Sequence, residues 1–119
     1  MKITLVIPPS PFLLDDRVFP FLGPLQIGAL ARSLGHEVAV ADLTGYKRRH
    51  PGKKHVTFDD VLEEAKVRLV DIASGSDLVG FYSLAAQHPG VMKLKEALLQ
   101  AHPGCVTVLG RSEEHTSEL

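Results

Sequence analysis

The chain alternates between two kinds of apolar pattern. Residues 3–7 (ITLVI) form a short run, apolar except for Thr4 and rich in β-branched side chains. That composition predicts a strand buried on both faces of a parallel sheet. The proline pair Pro8-Pro9 ends it. A loop of about 15 residues follows, a length that in a compact domain usually marks function. From Leu22 or Pro24 to Leu34 the pattern becomes helical, with Leu25, Ala29, Leu30 and Leu34 as its apolar face. Pro24 suits the first turn, where its missing N–H costs nothing, and Gly35 is a natural stop. His36-Glu37 then leads into a second apolar run at 38–41.

The next stretch, 42–57, is polar, with Lys47-Arg48-Arg49-His50 and Lys53-Lys54-His55 around Pro51-Gly52. It reads either as a phosphate-binding patch or, more plainly, as a solvated loop. Thr57 is placed to cap a helix, and Asp59 and Asp60 favour its first turn. Phe58, Val61, Leu62, Ala65, Leu69, Ile72 and Ala73 recur at helical spacing up to the breaker Ser74-Gly75-Ser76. A third strand is expected at 77–82, with Ser83 at its carboxyl end. Pro89 opens a third helix whose buried stripe is Val91, Leu94, Leu98 and Ala101, and His102-Pro103-Gly104 stops it. The fourth strand is expected at 105–109, ending at Gly110.

The order β-α-β-α-β-α-β implies an α/β domain with a parallel sheet. In such sheets ligands bind beyond the carboxyl ends of the strands, near the point where strand order reverses. The residues there are 8–14, 42–45, 83–87 and Gly110. They offer few catalytic groups, which favours a binding surface of backbone, small hydroxyls and apolar contacts. No catalytic and no metal-ligating residue is assigned.

Composition narrows the classes. The chain has 119 residues, enough for one small domain. Its net charge of −1 disfavours a nucleic-acid binder, and no apolar run reaches the roughly 18 residues that span a bilayer. The N-terminal apolar run is too short for a signal peptide. One cysteine, Cys105, excludes an internal disulfide and fits a cytoplasmic protein. It reads as a small core residue rather than a nucleophile. The six histidines show no metal-ligand spacing, and His36 and His88 read as surface or capping residues. Asp15-Asp16-Arg17 is either a ligand-facing cluster or a solvated bend.

Familiar ligand motifs are missing. IPPSPFLLDD stands where a dinucleotide fingerprint would need Gly-x-Gly-x-x-Gly, and a P-loop's glycines and Lys are absent too. A phosphoacceptor domain would need acidic residues directly after the first strand and an Asp where Ser83 stands.

Residues 111–119 (RSEEHTSEL) differ in character from the rest. They have no apolar period, and they resemble the in-frame translation of a common short-read sequencing adapter. They are expected to be a non-native, disordered tail, with the natural protein continuing past Gly110. Without Arg111 and the three tail glutamates, 1–110 holds 12 Lys and Arg against 11 Asp and Glu, a net charge of +1.

The stretch IPPSPFLLDDRVFPFLGPLQIGALARSLGHEVAVADLTG resembles the N-terminal cobalamin-binding domain of the B12-dependent radical S-adenosylmethionine enzymes. The shared features are Pro8-Pro9, Pro20-Phe21-Leu22-Gly23, the Ala/Leu-rich helix, Gly35-His36-Glu37-Val38 and Asp42. Leu78-Val79-Gly80-Phe81 with Ser83, and the strand ending at Gly110, are similar to the family's later strands. The resemblance covers about 1–110. It implies a three-layer flavodoxin-like (Rossmann-like) parallel sheet, incomplete at four of five strands, whose last strand is left as an apolar unpaired edge prone to aggregation.

The resemblance further implies a base-off corrinoid with its nucleotide tail threaded into the sheet edge. Pro8, Pro9, Ser10, Pro11, Asp42, Thr44, Ser83, Leu84 and Gly110 would form the cofactor site. Other B12 domains carry Asp-x-His-x-x-Gly in the first loop, but no His stands between Pro8 and Gly23 here, so that lower cobalt ligand is ruled out. The radical family's cluster needs Cys-x3-Cys-x2-Cys. The [4Fe-4S] cluster and S-adenosylmethionine therefore belong to a missing downstream domain, the implied partner of this one. The fragment itself is expected to be inactive. The alternative is a flavodoxin-like nucleotide- or protein-binding module with no corrinoid.

Overall fold

In the computed structural model, which describes residues 1–10, 22–83 and 87–111, the four apolar runs are strands β1 (Lys2–Ile7), β2 (Glu37–Asp42), β3 (Leu78–Ser83) and β4 (Val106–Arg111). The helices are α1 (Leu22–Ser33), α2 (Tyr46–Arg49), α3 (Phe58–Ile72) and α4 (His88–Ala101). The strands pair in the order β2-β1-β3-β4, all parallel. This is a flavodoxin-like three-layer fold holding four of that order's five strands. Only α2, inside the stretch read as a loop, was not foreseen. The other bounds move by one or two residues.

Chirality decides which face each helix takes. The chain steps from β1 to β2 in one direction, then back across β1 to β3 and on to β4. Right-handed crossovers therefore put α1 on one face and α3 and α4 on the other. The second face holds the core: Leu62, Ala65 and Leu69 of α3, and Val91, Leu94 and Leu98 of α4, pack with Val6, Ala41, Val79 and Phe81. Helix α3 begins with the expected cap. The Asp60 N–H donates to the Thr57 hydroxyl (3.2 Å) and the Thr57 N–H to the Asp60 carboxylate (3.1 Å). That second bond chiefly holds the Asp60 carboxyl below its ordinary range.

The face of α1 needs correction. The leucine stripe expected to be buried is exposed, at 50% for Leu25, 62% for Leu30 and 69% for Leu34, and Ala29 is exposed with it. The helix instead turns Pro24, Gly28 and Ala31 to the sheet. A Cβ on Gly28 would sit 3.3 Å from Leu5 Cδ1 and 3.5 Å from a Val38 methyl. Small residues let α1 lie close to β1 and β2, and that close approach leaves the leucines pointing outward. Helix α4 departs in one position, since Ala101 is exposed while the other three residues of its stripe are buried.

Side chains lock the amino edge of the sheet. The Lys2 N–H donates to the Asp77 carboxylate (2.8 Å), the Asp77 N–H returns to the Lys2 carbonyl (2.9 Å), and Lys2 Nζ donates to the Ser74 carbonyl (2.6 Å). Beside them the hydroxyls of buried Thr4 and Ser76 pair at 2.7 Å.

Two substitutions test this burial pattern. Leu94→Ala should cost about 2–5 kcal/mol of unfolding free energy, whereas Leu30→Ala should stay within about 0.5 kcal/mol. Denaturant unfolding of both variants checks the contrast, and equal losses would put the leucine stripe of α1 back in the core.

Candidate binding site at the carboxyl edge and beneath α1

Strand order reverses between β1 and β3: β1 is followed by α1 on one face, and β3 by α4 on the other. The crevice of interest therefore lies at the carboxyl ends of β1 and β3. Pro8 and Pro9 leave β1 there and are both buried, and Ser10 is half-buried. The buried Gln87, at the start of α4, spans the crevice and donates from Nε2 to the Pro8 carbonyl at 3.4 Å. Ser83 ends β3. Pro11 and Leu84 lie outside the described residues, as do Asp15-Asp16-Arg17.

After β2 the chain makes a tight polar turn. One carboxylate oxygen of Asp42 accepts from both the N–H (3.0 Å) and the hydroxyl of Thr44. Thr44 is buried, so its hydroxyl is turned inward on Asp42. Gly45 follows with φ of 84°, the left-handed conformation that glycine adopts without strain, and sends the chain into α2.

The stretch 42–57 is not the uniformly solvated loop that its charges suggest. Leu43, Thr44, Gly45 and Tyr46 are buried. Arg49 donates from Nη1 to the Thr44 carbonyl (2.6 Å) and from Nε to Glu64 of α3 (3.1 Å), with Nη2 on the same Glu64 oxygen. His50 Nε2 meets the other Glu64 oxygen, and its ring lies against Tyr46 with centroids 4.4 Å apart. Burial alone would raise the Glu64 carboxyl. The hydrogen bonds and charge of Arg49 and His50 outweigh it and hold the group below the usual carboxylate range. The three side chains clamp the turn after β2 onto α3. Lys47, Lys53 and Lys54 stay exposed.

The main apolar opening is on the other face. A cavity of about 300 Å³ lies between α1 and the sheet. Its floor is formed by Leu5, Gly80, Val108 and Gly110, and its wall by Pro24, Ile27 and Ala31 of α1. Gly110 lies within β4 rather than just beyond it, paired with Tyr82, and a Cβ there would meet only the Phe81 carbonyl, at 3.7 Å. The volume is at the lower end of the range of about 300–1,000 Å³ for small-molecule pockets. A second groove, of about 520 Å³, lies between α3 and α4, and its charges are mixed: Asp59, Glu63 and Glu96 with Lys66 and Lys93.

Of the residues expected to bind a cofactor, Pro8, Pro9 and Ser10 stand beside Asp42 and Thr44, because Ile7 and Asp42 are in register and the Leu43 N–H donates to the Ile7 carbonyl (2.9 Å). Gly110 is separate from them, on the edge strand. Arg49 and His50 were read only as part of a phosphate patch or solvated loop; their pairing with Glu64, and the cavity wall, escaped the sequence reading. The clamp joins residues 14 and 15 positions apart with no periodic signal, and the wall is made by small residues that a hydrophobic stripe does not mark.

Cys105 packs half-buried against the core, and burial pushes its thiol up, as befits an inert core residue. Among the described residues no three His, Cys, Asp or Glu side chains gather to hold a metal, and no helix is long and apolar enough to cross a membrane. No protein-family model, no curated protein and no solved structure matches the chain.

The clamp has a pH signature. A carboxyl whose pKa is depressed on folding adds stability above its unfolded pKa and loses it as pH falls through the folded one. Glu64→Gln should therefore cost on the order of 1 kcal/mol near neutral pH, the pair being partly open to solvent. The difference from the unsubstituted protein should vanish below the ordinary carboxylate range. Denaturant unfolding as a function of pH checks both halves.

Proposed function

We propose that residues 1–110 are the cobalamin-binding domain of a B12-dependent radical S-adenosylmethionine enzyme, holding its corrinoid base-off. The observation that carries this reading is the apolar cavity beneath α1. A base-off corrinoid must bury a flat, largely apolar base and its ribose away from cobalt. A half-open apolar pocket with glycines on its floor can take one face of such a base. Leu5, Gly80 and Gly110 would lie under the base, and Pro24, Ile27 and Ala31 beside it. The loop after β1 carries no His, so it gives cobalt no imidazole from below. Prolines lack an N–H and favour apolar contact, which suits a surface under a corrin ring.

The bound corrinoid would supply methyl transfer or related radical chemistry in the full-length protein. The [4Fe-4S] cluster and S-adenosylmethionine would sit in a downstream domain, in the cytoplasm, with that domain as the partner. Residues 111–119 are, in this reading, not native.

A second reading is a flavodoxin-like module that binds a protein partner and no corrinoid. The observation favouring it is the outward leucine face of α1 and the turn after it, where Leu25, Leu30 and Leu34 are all at least half exposed.

Hydroxocobalamin titration separates the two readings. The first predicts a change in the visible spectrum on binding. It also predicts that Ala31→Phe, which fills the cavity from the α1 side, weakens binding about tenfold or more, equivalent to about 1.4 kcal/mol. No spectral change and no co-purified corrinoid would refute it. Reading the source DNA past the Gly110 codon tests the tail: a further strand and a later Cys-x3-Cys-x2-Cys are expected, and a natural gene encoding RSEEHTSEL would overturn that part.

A further inference from the structure

The clamp leaves most of the basic stretch after β2 unneutralised. No acidic residue stands between Asp42 and Asp59, where Lys47, Arg48, Arg49, Lys53 and Lys54 all lie. The acid that reaches this stretch from α3 is Glu64, and both of its oxygens are taken, one by Arg49 and the other by His50. Asp60 accepts the Thr57 N–H in the cap of α3, and Lys53 acts on it only as a nearby charge. Among the described residues the side chains of Lys47, Lys53 and Lys54 form no hydrogen bond and no ion pair, and all three are exposed.

The turn that carries them is nonetheless fixed. The N–H groups of Arg48 and Arg49 donate to the Gly45 carbonyl (3.1 and 3.2 Å), and that of His50 to the Tyr46 carbonyl (3.0 Å). The Lys53 N–H then donates to the His50 carbonyl at 3.2 Å. Tyr46 is buried, and Arg49 and His50 tie the turn to α3. Three ammonium groups are thus held together on a folded turn and cannot separate by spreading of the chain. A multivalent anion would meet all three with the backbone already ordered.

We infer that the turn 47–54 docks an acidic segment of a partner protein, whose carboxylates meet Lys47, Lys53 and Lys54. Charge complementarity calls for an anion, and the surroundings choose among anions. Tyr46 is the one Tyr, Phe or Trp within 43–57, and it lies buried against His50, so no ring is offered for a nucleic-acid base to stack on. Asp59 and Glu63, exposed at the start of α3, close the basic stretch and would repel a long phosphate backbone running past it. Residues 47–55 hold no apolar side chain but Pro51 to enter a lipid surface. A short run of Asp or Glu matches the small footprint and meets none of these obstacles.

The inference is independent of corrinoid binding and is tested on the full chain without ligand. A fluorescently labelled peptide of alternating Asp and Glu, followed by anisotropy, should bind at low ionic strength and weaken several-fold at physiological ionic strength. Lys47→Glu combined with Lys53→Glu sets like charges across the contact and should weaken binding about tenfold or more. Lys93→Glu, on α4, should leave it unchanged. On the unsubstituted chain, an amine-acylating reagent should label Lys47, Lys53 and Lys54 more slowly when the peptide is present, and Lys93 at the same rate. That measurement keeps the inference testable if the doubly substituted chain does not fold. No binding at low ionic strength, binding that ignores the two substitutions, or protection of other lysines in place of these would overturn the inference. So would tighter binding of a single-stranded oligonucleotide or of phosphatidylserine vesicles through the same lysines.

Discussion

β1 is the strand on which the other elements depend. It is hydrogen-bonded on both sides, to β2 along its whole length and to β3 over four residues. Both crossovers that flank it are right-handed, so its central place sends α1 to one face and α3 and α4 to the other. Its carboxyl end borders the point where strand order reverses, and its first residues are tied to the turn before β3. The apolar, β-branched run that opens the chain thus sets the layers, the core and the position of the crevice together.

Much of this was legible in the sequence because the signals were local. Four apolar runs, a Thr-x-x-Asp cap at Thr57 and glycines after three helices were enough to place the elements. Helical period also identified the buried faces of α3 and α4, except at Ala101, because those helices lie over the middle of the sheet and bury ordinary Leu and Val side chains. It failed on α1, where Gly28 brings the helix so near the sheet that a leucine stripe would not fit between them. A helix packed through its small residues carries the opposite of the usual pattern.

The candidate site was legible only in part, for a related reason. Loops at the carboxyl edge follow from topology, so Pro8, Pro9, Asp42, Thr44 and Ser83 could be named in advance. What those side chains do depends on contacts with no spacing rule. The Asp42 carboxylate turns back on Thr44, and the turn they form is held by Arg49, which is itself held by Glu64 from another helix. A run of basic residues looks the same in sequence whether it is solvated or, as with Arg49 and His50, locked to a carboxylate. The cavity beneath α1 is the product of a helix, three strands and several missing side-chain atoms, and no single stretch announces it.

The lock at the amino edge has a consequence for synthesis. Lys2 and Asp77 are 75 positions apart, so the first strand made cannot settle in the middle of the sheet until most of the chain exists. At about 5–20 residues per second, that delay is on the order of 4–15 s on the ribosome. During it β1 has only β2 and α1 for company, and the side of the strand that will join β3 stays bare. The nascent chain is therefore most in need of a chaperone between completion of β2 and emergence of β3, well before its last residues are added.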